Sequence, residues 1–126
     1  MKQLLSILGF IILTSIVQGQ QNVCLDFGTG TVTQSTLLPN GNQLHTIDVE
    51  VISDLPNVPI QYTINGVIGT ITGPATGTTT GTDPVDNTLQ IELAPNNNFA
   101  RLNLTINTSG YVNTCLFDLD VQLPVI

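Results

Sequence analysis

LQIEL (residues 89–93) and LNLTIN (residues 102–107) alternate apolar and polar side chains, and this alternation decides the fold class. Successive side chains of a β-strand point to opposite faces, so a period of two predicts strands that bury one face. The same alternation recurs in IDVEV at residues 47–51 and in FDLDVQL at residues 117–123. Helical periodicity is nearly absent beyond the N-terminal segment, and we therefore predict an all-β fold.

Turn-forming residues separate these runs at regular intervals. Asn65-Gly66 predicts a tight hairpin. PNNN at residues 95–98 predicts a hairpin loop between the two strands quoted first, and residues 39–42 and 109–110 predict further chain reversals. With a first strand near residues 23–27, the pattern gives about eight short strands. This number favours an antiparallel two-sheet sandwich, with a β-barrel as the alternative.

Residues 1–19 have the pattern of an export signal. A short basic start precedes an apolar run at residues 4–17, which is too short to span a bilayer comfortably. Val17 and Gly19 fit the small-residue positions before a cleavage site. We therefore predict a signal peptide at residues 1–19 and one β-sandwich domain at residues 20–126. The mature domain should be secreted or held at the cell surface, without membrane insertion after cleavage.

Cys24 and Cys115 lie near the two ends of the predicted domain. Two cysteines in a small exported domain form a disulfide more often than they stay free, so we predict that they pair. Their strand phases differ, however. Cys115 shares a face with Phe117 and should therefore point into the core. Cys24 lies between the apolar Val23 and Leu25 and should therefore point to the opposite face from them. We expect either a bulge beside one cysteine or a disulfide at the sandwich rim, with an intermolecular link as the outcome if no internal bond forms.

The mature chain is acidic and almost free of basic residues. The full sequence has a formal net charge of −7, from two basic and nine acidic residues. Loss of Lys2 with the signal leaves Arg101 against the nine acidic residues, a formal charge of about −8. Binding to nucleic acid is therefore disfavoured. The polar surface comes mainly from Thr, Asn, Gln and Ser, which repel their neighbours weakly and suit close packing of modules or subunits.

Residues 73–87 (GPATGTTTGTDPVDN) are too long and too rich in Gly, Thr and Pro for an ordinary hairpin loop. They either contain a short edge strand at residues 78–80 or form an exposed loop. Long loops on a rigid sandwich often carry binding function, so this segment is the leading candidate for a contact surface. The candidate residues are Thr76, Thr78, Thr80, Asp83, Asp86 and Asn87.

Three residues of this segment are candidate ligands for a cation. Asp83, Asp86 and Asn87 offer the oxygen atoms that calcium binds, but they lack the spacing of an EF-hand loop. An ordinary role in a turn is the alternative. We expect no resident cofactor. If these residues bind a cation, calcium is the candidate.

His45 is the one histidine of the sequence, so a Ser-His-Asp nucleophile would have to combine it with Ser35, Ser53 or Ser109. None of these serines lies in a nucleophile-elbow pattern. We therefore predict no catalytic residues and no enzymatic activity. A hydrolytic function based on His45 is kept as a third hypothesis.

Two sequence patterns match N-glycosylation acceptors. Asn103-Leu104-Thr105 and Asn107-Thr108-Ser109 both have the required spacing, and both asparagines should lie on the polar face of one strand. Chance matches are expected in a chain so rich in Asn and Thr. Asn103 and Asn107 are therefore candidate glycosylation positions in a eukaryotic host.

PIQYTING at residues 59–66, the Gly/Thr-rich segment that follows it, and Tyr111 and Cys115 near the last strand together resemble the immunoglobulin-like modules of bacterial secreted and surface proteins. The chain departs from the antibody pattern, because it has no Trp and Cys24 lies on the predicted first strand. The resemblance implies adhesion, spacing or assembly rather than catalysis, by analogy of fold.

These observations lead to one expected function and one alternative. We expect a secreted, non-enzymatic β-sandwich module that contacts a protein partner or itself, in adhesion or as a structural component. The alternative is a small carbohydrate- or calcium-binding module that uses residues 73–87. A glycan stays a candidate ligand, although the chain has no Trp and two Tyr to stack on sugar rings.

Overall fold

A computed structural model describes residues 20–73 and 75–124 of the chain. The signal peptide predicted at residues 1–19 lies outside the described residues. The described part of the chain contains ten β-strands and no helix. The strands are β1 (Gln21–Val23), β2 (Leu25–Leu37), β3 (Gln43–Ser53), β4 (Pro59–Ile68), β5 (Thr70–Ile71), β6 (Thr76–Thr80), β7 (Val85–Leu93), β8 (Phe99–Ile106), β9 (Tyr111–Asn113) and β10 (Leu119–Gln122).

Two four-stranded antiparallel sheets pack face to face as a sandwich. Sheet I has the strand order β2-β3-β7-β5, and sheet II has the order β10-β8-β4-β6. The short strands β1 and β9 form a separate parallel pair. The all-β class and the antiparallel two-sheet sandwich predicted from the alternation are confirmed. Seven of the ten strands have four or more residues, which is close to the predicted number of about eight, and β1, β5 and β9 each have only two or three.

The core lies between the two sheets and is built from every second residue of the long strands. In β3, Ile47, Val49 and Val51 are buried, while Asp48 and Glu50 between them point outward. β4, β7 and β8 alternate in the same way, so each sheet presents one apolar face to the other. Each large aliphatic side chain buried here contributes about 1.5–3 kcal/mol relative to an exposed position.

The hairpin predicted between residues 89–93 and 102–107 is wrong. β7 belongs to sheet I and β8 to sheet II, so residues 94–98 carry the chain from one sheet to the other. β7 and β8 each have one apolar face. When the two strands lie in opposite sheets of a sandwich, both of these apolar faces are buried between the sheets. The alternating pattern is the same for a hairpin and for this crossover.

The turn predicted at Asn65-Gly66 is also wrong. β4 continues through both residues, where Asn65 pairs with Asn103 and Gly66 with Leu102. Glycine is required at position 66 for space, because a Cβ there would lie 2.5 Å from the carbonyl oxygen of Gly69. The chain changes sheet at Gly69 instead, whose φ of 105° lies in a region that glycine adopts readily.

Cys24 and Cys115 form a disulfide at the margin of the sandwich. Cys24 occupies the one-residue gap between β1 and β2, and its neighbours Val23 and Leu25 are both buried. Cys115 lies in the irregular segment between β9 and β10, and both cysteines are half-buried. Of the two predicted alternatives, a bulge beside one cysteine or a disulfide at the rim, the structure has the rim position. The prediction that Cys115 points into the core on the same face as Phe117 is wrong, because Cys115 is half-buried and Phe117 is 67% exposed where the chain leaves the sheet.

Candidate contact surface and candidate site residues

The outer face of sheet II is polar and nearly uncharged. Its side chains form cross-strand rows, one of which consists of Thr76, Thr63 and Thr105. The next row along β4 and β8 consists of Asn65 and Asn103. We call this surface the neutral face; its residues are Gln61, Thr63, Asn65, Thr76, Thr78, Thr80, Asn103, Thr105 and Asn107.

Hydrogen bonds between side chains fix part of the neutral face. Asn65 Nδ2 donates to Thr105 Oγ1 at 2.8 Å. Asn107 Nδ2 donates to Thr63 Oγ1, also at 2.8 Å. Both bonds join β4 to β8, so they support the strand pairing and hold amide and hydroxyl groups in fixed positions.

Arg101 and Asp120, the two charged residues within the strands of sheet II, form an ion pair at the margin of the neutral face. Arg101 Nε donates to Asp120 Oδ1 at 2.7 Å, and a second guanidinium nitrogen donates to Asp120 Oδ2 at 3.1 Å. This hydrogen bonding lowers the pKa of the Asp120 carboxyl and raises the pKa of Arg101. The guanidinium carbon also lies 5.5 Å from the centre of the Phe99 ring. The pair leaves little net charge on sheet II.

The outer face of sheet I, in contrast, is acidic. Glu50 on β3 lies directly opposite Asp86 on β7, and like charges in this arrangement repel. Thr29 Oγ1 donates to Glu50 Oε1 at 2.6 Å, and Thr88 Oγ1 donates to Asp48 Oδ1 at 2.7 Å. We call this surface the acidic face; its residues are Asp48, Glu50, Asp86 and Glu92. The fold thus places much of the negative charge on one side of the sandwich.

The segment 73–87, predicted as a contact surface, contains β6, a turn and the start of β7. The short edge strand expected at residues 78–80 is confirmed and begins two residues earlier. Thr76, Thr78 and Thr80 are exposed on the neutral face, whereas Thr79 is buried and its hydroxyl accepts a hydrogen bond from the backbone N–H of Ile60. A binding role for this segment stays a prediction.

The three candidate calcium ligands lie in different surroundings. Asp83 follows β6 in an exposed turn, and Asp86 points outward on the acidic face. Asn87 points inward, where its Nδ2 donates to the Tyr62 hydroxyl at 2.7 Å. Burial raises the pKa of Tyr62, and the hydrogen bond with Asn87 acts in the opposite direction. Among the described residues, no three His, Cys, Asp or Glu side chains come together as a metal site would require. A calcium role stays a prediction.

His45 is fully buried, and its two ring nitrogens have different partners. Gln43 Nε2 lies 3.0 to 3.2 Å from three backbone carbonyl oxygens in residues 94–97, so the amide nitrogen donates there. Gln43 Oε1 then accepts from His45 Nε2 at 3.0 Å. Nδ1 is therefore the unprotonated nitrogen, and the Ser35 hydroxyl donates to it at 2.7 Å. Burial lowers the pKa of His45 and favours this neutral ring.

The Ser35 hydroxyl is hydrogen-bonded to the unprotonated nitrogen of a neutral histidine. A histidine that acts as a general base toward a serine requires this arrangement. Of the three serines considered from the sequence, Ser35 is the one that contacts His45, while the Ser53 hydroxyl accepts from the backbone N–H of Leu55. The neutral amide of Gln43 occupies the position that a carboxylate takes in a Ser-His-Asp site, so it does not offset the charge of an imidazolium. We infer that the network ties residues 94–97 to sheet I.

Both candidate glycosylation positions lie on the neutral face. Asn107 is exposed just after β8, and Asn103 is half-buried beside Asn65. Their modification stays a prediction.

Two polar contacts were missed at the level of sequence. The hydrogen bond between Tyr62 and Asn87 joins β4 to β7 across the core, and the Gln43 network joins β3 to the segment after β7. The alternating pattern of β3 does indicate the Gln43 network, because Gln43 and His45 lie on the same face of the strand as the apolar Ile47. A polar residue in a buried phase indicates a side chain that has found hydrogen-bond partners.

Comparisons of the chain with protein families, with curated proteins and with solved structures found no match. Within the part of the chain that the structure describes, no helix is long and apolar enough to cross a membrane.

Proposed function

We propose that this chain is an exported, non-enzymatic β-sandwich module that acts through protein contacts, as an adhesive or structural component outside the cell. The separation of charge between the two outer faces carries this proposal. The neutral face can approach another protein without burying an unpaired charge, which is costly. The acidic face, with Glu50 opposite Asp86, repels other acidic surfaces and favours solubility.

The disulfide is consistent with an extracellular location. It joins Cys24 to Cys115 across 91 residues and so closes nearly the whole described chain. Chain entropy assigns a loop of this length about 4 to 5 kcal/mol of stabilisation, as an upper figure. Such a closure suits a small domain that has to stay folded in an oxidising compartment.

The strand order supports an immunoglobulin-like assignment of the sandwich. β2, β3, β7 and β5 are ordered as strands A, B, E and D of that architecture, and β10, β8 and β4 as strands G, F and C. β6 is an addition beside β4. The disulfide also differs from the antibody type, because it does not join β3 to β8. Modules of this architecture frequently serve adhesion or assembly, which is an analogy at the level of fold.

Sedimentation velocity of the oxidised mature chain tests the proposal. We expect association that increases from micromolar to millimolar protein concentration. Added salt should strengthen it, since salt screens the repulsion between acidic copies. EDTA should have no effect, whereas contacts that depend on calcium would dissociate. A monomer at every concentration, together with no protein cross-linked to the mature chain on the producing cells, would contradict the proposal.

A further inference from the structure

β6 (sequence TGTTT) is an outer strand of sheet II, and one side of its backbone faces away from β4. The backbone N–H of Ile64 donates to the carbonyl of Ala75. Hydrogen-bonded and non-bonded pairs alternate along an antiparallel ladder, so the backbone groups of Thr76, Thr78 and Thr80 point outward. No described residue provides a hydrogen-bond partner for these outward groups.

The other outer strands carry features that hinder the addition of a further strand. β5 has two residues, and two register irregularities interrupt the pairing of β2 with β3. β10 carries Asp120, with Asp118 just before the strand. β6, in contrast, contains no charged residue and no proline, and it pairs with β4 without a bulge. Its edge is the least protected of the four.

We propose that β6 pairs with β6 of a second copy of this chain, antiparallel about a two-fold axis at Thr78. The inference rests on the proposed function and names the surface through which the module contacts itself. In this register Thr78 faces Thr78 of the second copy, and Thr76 faces Thr80. All the outward backbone groups of β6 then find partners, and the two copies of sheet II become one continuous sheet.

The side chains of β6 are complementary to themselves in this register. Thr76, Thr78 and Thr80 lie on the neutral face and form threonine pairs across the new contact, which stabilise antiparallel strands. On the core side, Gly77 faces Thr79, so no large side chain obstructs the approach. Asp83, the first carboxylate after β6, lies three residues beyond the end of the strand, in the bend that leads to β7.

The distribution of charge favours a second copy at this edge. The mature chain has a formal charge of about −8, so two copies repel each other, and the repulsion is weakest where the contact is free of carboxylates. β6 and the neighbouring residues of β4 on the neutral face, Gln61 and Thr63, meet that condition. A five-residue strand spans about 17 Å. Its pairing buries less than the roughly 1,200–2,000 Å² of a stable interface, so the dimer should be weak and favoured where copies are concentrated.

A cysteine at the two-fold axis tests the register. The Cα atoms of a hydrogen-bonded antiparallel pair are about 5.5 Å apart, which a disulfide can span. We expect Thr78→Cys to form a disulfide-linked dimer on mild oxidation, with the native Cys24–Cys115 bond intact by peptide mapping. Thr80→Cys is the matched control, because it is also exposed but faces Thr76. Equal yields from both variants would overturn the proposal, as would Thr78→Cys that cross-links to a different protein instead of to itself.

A lysine at the same position tests the contact without new covalent chemistry. In the proposed dimer, Thr78→Lys places two positive charges directly opposite each other, and we expect the dissociation constant to rise roughly tenfold or more. Thr105→Lys is the control, since it adds the same charge to the same face on the central strand β8. Circular dichroism checks that both variants are folded. Wild-type protein that never associates overturns the β6 pairing, and it contradicts the proposed function only if no partner protein is cross-linked to the mature chain either. Wild-type association that Thr78→Lys leaves unchanged overturns the β6 pairing alone.

Discussion

The hydroxyl of Ser35 donates a 2.7 Å hydrogen bond to Nδ1 of the fully buried His45. The bond requires a neutral ring that carries its proton on Nε2, and that nitrogen donates to Gln43. Gln43 in turn donates to backbone carbonyls in residues 94–97. One polar network therefore joins β2, β3 and the crossover between the sheets, and it depends on the protonation state of His45.

We predict that the fold loses stability as the pH falls below 6.5, the ordinary pKa of histidine. Burial lowers the pKa of His45 in the folded chain, so above pH 6.5 both states are neutral and its contribution is fully present. Below 6.5 the unfolded chain binds the proton first, and stability falls until the pH reaches the folded-state pKa. Urea unfolding between about pH 8 and pH 5 measures this loss. His45→Gln is the control, and equal pH dependence in the two proteins would contradict the prediction.

Replacing Gln43 should loosen the crossover at residues 94–98. Gln43→Leu keeps the approximate volume but leaves the carbonyls of Pro95 and Asn97 without their side-chain donor, while the Ala94 carbonyl still accepts from the backbone N–H of Asn97. We expect a loss of roughly 2–4 kcal/mol in the free energy of unfolding. Hydrogen exchange should also become faster at these residues. Gln61→Leu, an exposed substitution on the neutral face, should change stability by less than about 0.5 kcal/mol. Similar urea midpoints for the two variants would show that the three bonds contribute little.

Gly77 is required by the ring of Tyr62. A Cβ at position 77 would overlap the hydroxyl end of that ring, so Gly77→Ala should cost roughly 1–3 kcal/mol of stability. Tyr62→Phe removes the nearest atom of the overlap and, alone, costs about 1–2 kcal/mol through the lost bond to Asn87. The double variant should therefore be more stable than the sum of the two losses predicts. Strict additivity in thermal unfolding would argue against this contact.

The disulfide should be internal and stabilising. Non-reducing mass spectrometry of the mature chain should show a monomer lighter by two hydrogens than the reduced chain. Replacing Cys24 and Cys115 together by alanine should cost about 2–5 kcal/mol in the free energy of unfolding. Reductant should destabilise the wild type and leave the double variant unchanged. A disulfide-linked dimer of the wild type without reductant would contradict an internal bond.

Much of the local structure could be predicted from the sequence. The alternation at residues 47–51 and 89–93 identified strands and their buried faces, because burial of every second side chain is a property of a few consecutive residues. The phase conflict at Cys24 likewise predicted either a bulge or a disulfide at the rim, and the structure has the disulfide at the rim. The same alternation could have identified Gln43 and His45 as buried hydrogen-bonding residues.

The strand partners could not be predicted in the same way. Residues 94–98 have the composition of a hairpin loop, yet they connect opposite sheets. Asn65-Gly66 has the strongest local turn signal of the chain, yet it continues a strand because Gly66 lies close to the backbone of Gly69. A strand with one apolar face can bury it from either sheet, and contacts between distant residues make the choice.

By itself, the sequence determined the all-β class, the positions of most strands, the acidic and weakly charged composition, and the pairing of the two cysteines. Tertiary structure alone decided that Glu50 lies opposite Asp86, and that Thr76, Thr63 and Thr105 form one row. It also decided that β6 lies at an open edge. The physical reason is that alternation fixes which side of a strand is buried, whereas the neighbours on its outer side depend on pairing between segments far apart in the chain.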